Sequence, residues 1–309
     1  MSSELVLARD TTKYGGSAEG IKSHYDIGND FWPAILGPTM AYSCALFTRA
    51  DESLDDAQRR KIDWHLAAAG VANASSVLDI GCGWGSVLKP LASRDSLCRI
   101  HGITLSNAQA EYLSSLNLAN LNVSVENWAV YEPTDLYDSI ISVGAFEHFA
   151  NAKQTKAEKV ALYRDFFERC RRWLSPYGRM SLQTIAYGNM KAEDANAFMN
   201  DEIFPESELP FLSEIVEAMD GLFEIVQLRN DRLHYAKTMD AWGRNLVSDK
   251  PRLSAIVGEQ KFSDMHRFFK LASVGFRMGK QNLFRFALRP IRSEWSVQGR
   301  DDWTNLDPK

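Results

Sequence analysis

The sequence contains no apolar run long enough to cross a bilayer, and its opening MSSELVLARD lacks a basic-then-apolar leader pattern. Both absences lead to the expectation of a cytoplasmic protein. Cysteine is scarce. Among 309 residues only Cys44, Cys82, Cys98 and Cys170 occur, with no CxxC pair and no His/Cys spacing suited to zinc. Neither a disulfide scaffold nor a metal site is expected. The dinucleotide fingerprint GxGxxG and the phosphate-gripping GxxxxGK[ST] are both missing, which sets aside the commonest nicotinamide and nucleoside-triphosphate sites. No aromatic-basic interleaving points to DNA or RNA, so no nucleic-acid partner is expected.

What is present is an ordinary supply of core. Hydrophobic residues make up 45% and charged residues 24%, so a packed protein is expected and disorder is not. The length fits one large α/β domain with insertions or two small domains. The net charge of −5 is uneven: residues 229–300 hold 15 Lys and Arg against 6 Asp and Glu, leaving −14 for the remainder. That stretch reads either as solvated helix faces or as a surface that meets an anionic substrate, carrier or lipid headgroup, including peripheral contact with a membrane.

Along the sequence, Gly15, Gly16 and Gly20 interrupt the first 20 residues, and residues 21–50 are dense in aromatics broken by Gly28, Pro33, Gly37 and Pro38. The spacing predicts a helix from Asp51 to Gly70, capped by Asp55, with Ile62 and Leu66 on one face. Residues 1–70 are therefore expected to form a helical cap segment on a main domain spanning 71–309. There the rhythm changes: short apolar runs at 76–80, 99–104, 123–125, 137–143 and 179–185 alternate with helical segments ending near Ala92, Leu116 and Leu174. The last of these is expected to stop at Pro176 and Gly178. Alternation of this kind means a parallel α/β sheet with helices on both faces. Residues 187–220 exceed what a crossover needs and are expected to form an insertion over the site after the fifth strand. The last strands are expected at Phe223–Leu228 and near His234-Tyr235-Ala236, and apolar spacing from Phe262 to Phe276 predicts a helix.

The chemistry concentrates at Val77-Leu78-Asp79-Ile80-Gly81-Cys82-Gly83-Trp84-Gly85. A buried strand delivers glycines at the start of a helix, so a ligand can lie against bare backbone. Asp79 stands where a carboxylate would hold a cationic amino group and repel a pyrophosphate. That suits the methionine end of S-adenosylmethionine (SAM), and on the first strand of such a series it points to a SAM-dependent methyltransferase with a Rossmann-like class I sheet. At the end of the second strand the usual ribose-binding acid is missing, and Thr104-Leu105-Ser106 with Gln109 stands in its place. Trp128, after Asn127, is either a flat wall for adenine or plain core.

Ser23-His24-Tyr25-Asp26, Asn29-Asp30-Phe31 and Tyr42-Ser43-Cys44-Ala45-Leu46-Phe47 resemble the N-terminal signature of the cyclopropane-fatty-acid and mycolic acid cyclopropane synthase family. Gly102 to Ser106, Ser142 to Phe149, Glu202 to Pro205, and His234 to Thr238 with Trp242 extend the resemblance from about residue 21 to 290. It implies transfer of the sulfonium methyl to an alkene of an acyl tail, a carbocation, and loss of a proton to give a cyclopropane or a methyl branch. It also implies that Tyr42, Ser43, Asp79, Gly81, Gly83, Gly85, Thr104, Leu105, Gln109, Trp128 and Ala129 line the cofactor. Cys44, Glu147, Tyr235 and Tyr25 would surround a bound bicarbonate.

An alkene is a weak nucleophile, so it must be aligned with the methyl group and the cation kept from water. Tyr25, Phe31, Trp32, Tyr42, Phe47 and Phe146 are either cation-stabilising walls or ordinary core. Glu147 either takes the proton, directly or by orienting the base, or caps a helix. In the family a histidine stands in an L-H-T-I string; here it is Gln183 in Leu182-Gln183-Thr184-Ile185. The change leaves open whether bicarbonate or Glu147 acts as base. The reading is C-methylation of an alkene in a lipid-like or isoprenoid-like substrate. Small-molecule N-methylation and SAM binding without catalysis are the rivals, and the oligomeric state stays open.

Overall fold

A computed structural model of the protein describes residues 31–93, 99–190 and 208–292. Seven strands form one sheet in the order β3-β2-β1-β4-β5-β7-β6. Strands β1 (Ser76–Ile80), β2 (Arg99–Thr104), β3 (Leu121–Val125), β4 (Tyr137–Val143) and β5 (Leu174–Tyr187) run parallel. β7 (Gln281–Pro290) lies antiparallel between β5 and β6 (Phe223–Asn230). The order reverses beside β1, which pairs with β2 on one side and β4 on the other, and this opens a crevice at the carboxyl ends of those strands. β1 is buried along its whole length, as a strand covered by helices on both faces must be.

The helices are α1 (Trp32–Leu36), α2 (Leu54–Ala68), α3 (Leu88–Ala92), α4 (Asn107–Ser115), α5 (Lys156–Trp173), α6 (Leu212–Met219), α7 (Arg232–Ser248), α8 (Lys250–Val257) and α9 (Glu259–Arg277). Two apolar cores flank the crevice. Trp128, Phe146 and Phe149 pack against Tyr163, Phe166 and Phe167 of α5. Phe31, Trp32, Ile35 and Cys44 form the second core with Tyr235 and Trp242 of α7 and Phe268, Phe269 and Phe276 of α9. From Phe31 on, the aromatic-rich segment before α2 is thus sealed by helices that come late in the sequence. No helix among the described residues is long and apolar enough to cross a membrane.

Several sequence expectations need correction. Ser53, not Asp55, caps α2: its hydroxyl accepts from the Asp56 amide, while Asp55 pairs with Arg59 one turn on. Pro176 and Gly178 do not follow the end of α5 as stops but lie within β5, which begins at Leu174. His234-Tyr235-Ala236 belongs to α7, where Tyr235, Ala236, Met239, Trp242 and Leu246 are buried at helical spacing. The strand that closes the sheet is β7, with Leu283 to Leu288 buried in an unbroken run. In the expected insertion, 191–207 lie outside the described residues, including Glu202 to Pro205; α6 packs beside α5.

Candidate active site

The crevice is lined from β1 and its turn by Asp79, Gly81 and Gly83, from β2 and α4 by Thr104, Leu105 and Gln109, and from β3 onward by Glu126, Asn127 and Trp128. Gly144, Ala145 and His148 close it from β4, and Tyr42 and Ser43 from the N-terminal side. Gly83 has φ +54, and an added Cβ there would meet only Gln109 Nε2, at 4.0 Å, so any side chain would grow into the crevice. Gly85 does not line it. A Cβ at that position would sit 2.4 Å from Leu113 Cδ2, so this glycine lets α4 pack against the turn.

Thr104 at the end of β2 donates through Oγ1 to Gln109 Oε1 at 2.8 Å. Ser106 caps α4 by accepting from the Gln109 amide. With its carbonyl oxygen occupied, Gln109 turns its NH₂ toward Gly83. An acid does line the crevice, one strand further than the second-strand position considered from sequence: Glu126 follows β3, its amide held by the Thr104 carbonyl at 3.0 Å. Trp128 lines the crevice and is also packed into the core, its ring 4.9 Å from Phe149 and 5.2 Å from Phe166. Ala129 is buried behind it, its amide donating to Asn127 Oδ1.

Glu147 lies on a short 3-10 turn, Phe146–His148, directly after β4. Its Oε2 accepts from Thr184 Oγ1 at 3.2 Å, and burial pushes its carboxyl up to about 7. The neighbouring imidazole of His148 is pushed down to about 4 by burial and is neutral near pH 7. A Cβ on Gly144 would lie 3.7 Å from Glu147 Oε1 and 3.9 Å from Ser43 Cβ, so both residues border one small space. Cys44 is fully buried, and burial raises its thiol to about 12, so it stays protonated. Tyr235 stacks on Phe276 at 4.7 Å and meets Trp242 edge-on at 6.1 Å. Tyr25 lies outside the described residues.

Gln183 belongs to a different network. Its Oε1 accepts from Arg285 Nε at 2.9 Å and from His65 Nε2 at 3.3 Å. His65 Nδ1 meets Ser181 Oγ at 2.8 Å, placing residues 181 and 183 on the α2 face of β5 while Thr184 faces Glu147. Arg285, with no exposed surface, also pairs with Asp231 and donates to the Cys44 carbonyl at 2.8 Å. Of the aromatics read as candidate cation walls, Phe146 is core, 4.6 Å from Tyr163. Tyr42 lines the crevice between Trp32 at 4.8 Å and Trp242 at 5.0 Å.

A family model described as mycolic acid cyclopropane synthetase matches residues 12–286. The protein belongs to this family. It is 34% identical over 291 residues to the S-adenosylmethionine-dependent methyltransferase UmaA of Mycobacterium tuberculosis (strain ATCC 25618 / H37Rv), covering 87% of this sequence and 96% of that one. To cyclopropane mycolic acid synthase 3 of M. tuberculosis (strain CDC 1551 / Oshkosh) it is 30% identical over 286 residues, with the same coverage. Among solved structures, that of mycolic acid cyclopropane synthase CmaA1 complexed with SAH and CTAB superposes with TM-score 0.78 at 29% identity, over 90% of this protein and 99% of that one. This synthetase-family member is a SAM-dependent methyltransferase, and SAM is its cofactor. The crevice fits that cofactor: bare backbone at Gly83, a buried carboxylate at Asp79 and a flat indole at Trp128 lie along one surface.

Proposed function

We propose that this protein methylates an alkene carbon of a lipid-like or isoprenoid-like substrate, with Glu147 as the base. The observation that carries this reading is a buried carboxylate with its acid form favoured up to about 7, bordering the same space as Ser43 and held by Thr184. In this arrangement Asp79 holds the amino group of SAM, Gly81 and Gly83 accept its backbone, Thr104, Leu105 and Gln109 meet the ribose, and Trp128 walls the adenine. SAM supplies an electrophilic methyl group.

The alkene's π pair forms the new C–CH₃ bond as the C–S bond breaks, which leaves a neutral thioether and a cation on the substrate. Tyr42 faces that cation, backed by Trp242, and the aromatic packing around both excludes water. Glu147 then removes one proton, and the C–H pair closes a cyclopropane or restores a double bond. Bicarbonate as an alternative base is disfavoured by the placement of Gln183, which lies with His65 on the α2 face of β5, opposite the face from which Thr184 meets Glu147, and does not line the crevice. The CmaA1 neighbour's complex with CTAB, a long-tailed detergent, supports an apolar substrate.

The test is incubation with methyl-labelled SAM and a panel of unsaturated fatty acyl esters, prenyl diphosphates and small amines, read by mass spectrometry. Label on carbon of an alkene-containing product is expected, with Gly83→Val blocking both cofactor binding and turnover. Label appearing only on amine nitrogen would replace this reading with N-methylation.

A further inference from the structure

Lys61 on α2 is a lysine without exposed surface, and it lies behind the wall of the crevice. Among the described residues its one hydrogen bond runs from Nζ to Ser43 Oγ at 2.7 Å. Ser43 in turn lines the crevice, and its carbonyl is pinned from the same helix by Gln58 Nε2 at 2.8 Å. Asp79 also lines the crevice, close enough for Lys61 to favour its ionised form, yet the two do not close into a salt bridge. Burial holds the Lys61 ammonium down to about 7 and lifts the Asp79 carboxyl to about 7. Two opposite charges left apart in a dry interior are costly unless a ligand completes them.

We infer that Lys61 and Ser43 together read the carboxylate of the cofactor's amino-acid end, with Lys61 as a positioning residue acting through Ser43. The lysine donates to the serine oxygen, so the serine hydroxyl proton is free to point into the crevice, where a carboxylate would accept it. The ligand's zwitterion then spans the separated pair, with ammonium toward Asp79 and carboxylate toward Ser43 and the charge behind it. This inference rests on the crevice being the cofactor site, as proposed above.

Calorimetry with two probes separates the possibilities: S-adenosylhomocysteine and its decarboxylated analogue S-adenosyl-3-thiopropylamine, which keeps the ammonium and lacks only the carboxylate. Wild-type protein should prefer the first by about 10- to 100-fold, the range of a charge-assisted hydrogen bond. Lys61→Met should remove that preference by weakening S-adenosylhomocysteine alone, and Ser43→Ala should do the same in part. Lys61→Gln, which can still donate to Ser43 but carries no charge, provides a second route if the methionine variant fails to fold. Equal loss for both probes, or no loss for either, overturns the role of Lys61. Failure of the wild-type protein to bind either probe overturns the assignment of the crevice itself.

Discussion

Glu147 is a carboxylate whose surroundings decide its usefulness. Burial lifts its carboxyl from 4.5 to about 7, and hydrogen bonds from its own backbone, from the Thr184 hydroxyl and from the Ile185 backbone work against that rise. A base of this kind is poised near neutral pH. If Glu147 takes the proton, kcat/KM should climb with pH up to about 7 and then level off, since only the ionised form accepts. Glu147→Gln should lose about 10²- to 10⁴-fold in rate together with that rising limb. Wild-type turnover should survive removal of bicarbonate. Restoration of lost activity by added bicarbonate would identify the ion as base. The stability consequence has the opposite sign. The fold favours the protonated acid, so this group's contribution is fully present below 4.5 and lost as pH rises through about 7. The glutamine variant should therefore melt above wild type on the alkaline side of that window and converge with it on the acid side.

At the scale of elements, what could be read in advance depended on how polar residues are distributed. β1 and β4 announce themselves as short apolar runs that break into glycine, and the turn between β1 and α3 carries the cofactor signal almost alone. α2 was legible as a helix, but its buried face was not. Gln58, Lys61 and His65 are buried at helical spacing, and a lysine or histidine on an amphipathic helix ordinarily reads as its wet side. β7 was missed because Arg285 between Phe284 and Phe286 looks like the exposed half of an alternating strand. Instead it is the fully buried hub that joins Asp231, Gln183 and the Cys44 backbone. Partners 54 to 241 residues away supply what makes such burial tolerable, and no local pattern reveals them.

This hub makes Gln183 a structural residue first. Gln183→Ala would strip the acceptor from Arg285 Nε and His65 Nε2 together, at about 1–3 kcal/mol for the stranded donors. Urea denaturation should show that loss, with S-adenosylhomocysteine affinity little changed, since Gln183 does not line the crevice. Unaltered stability with activity abolished would instead place its amide on the substrate.

Across the whole molecule, charge is segregated in a way the sequence already displayed. Residues 232–290 of the basic stretch carry α7, α8, α9 and β7, and Arg244 and Lys270 border a groove between α7 and α9 over Phe269. The remaining sequence is acidic, so an anionic substrate, carrier or lipid surface would be steered toward the helical side that shares a core with Tyr42 and Trp242. Exposed charges act over about 8 Å at physiological salt, so added salt should raise KM for an anionic substrate more than it weakens S-adenosylhomocysteine binding. A KM that does not move with ionic strength would separate the basic face from substrate capture.

The position of β7 has a consequence for biogenesis. A nascent polypeptide still emerging from the ribosome can pair β1 to β5, but the neighbour that β5 and β6 both require is made after all the other strands. Until residues 281–290 arrive, β5 presents an open edge, the kind that recruits strands from other molecules. Arg285 travels on that late strand and brings the final bonds to Gln183 and to the Cys44 backbone. Completing the sheet and completing the wall behind the crevice are thus a single folding event, and a protein truncated before β7 would be lost to aggregation rather than persist as a weakened enzyme.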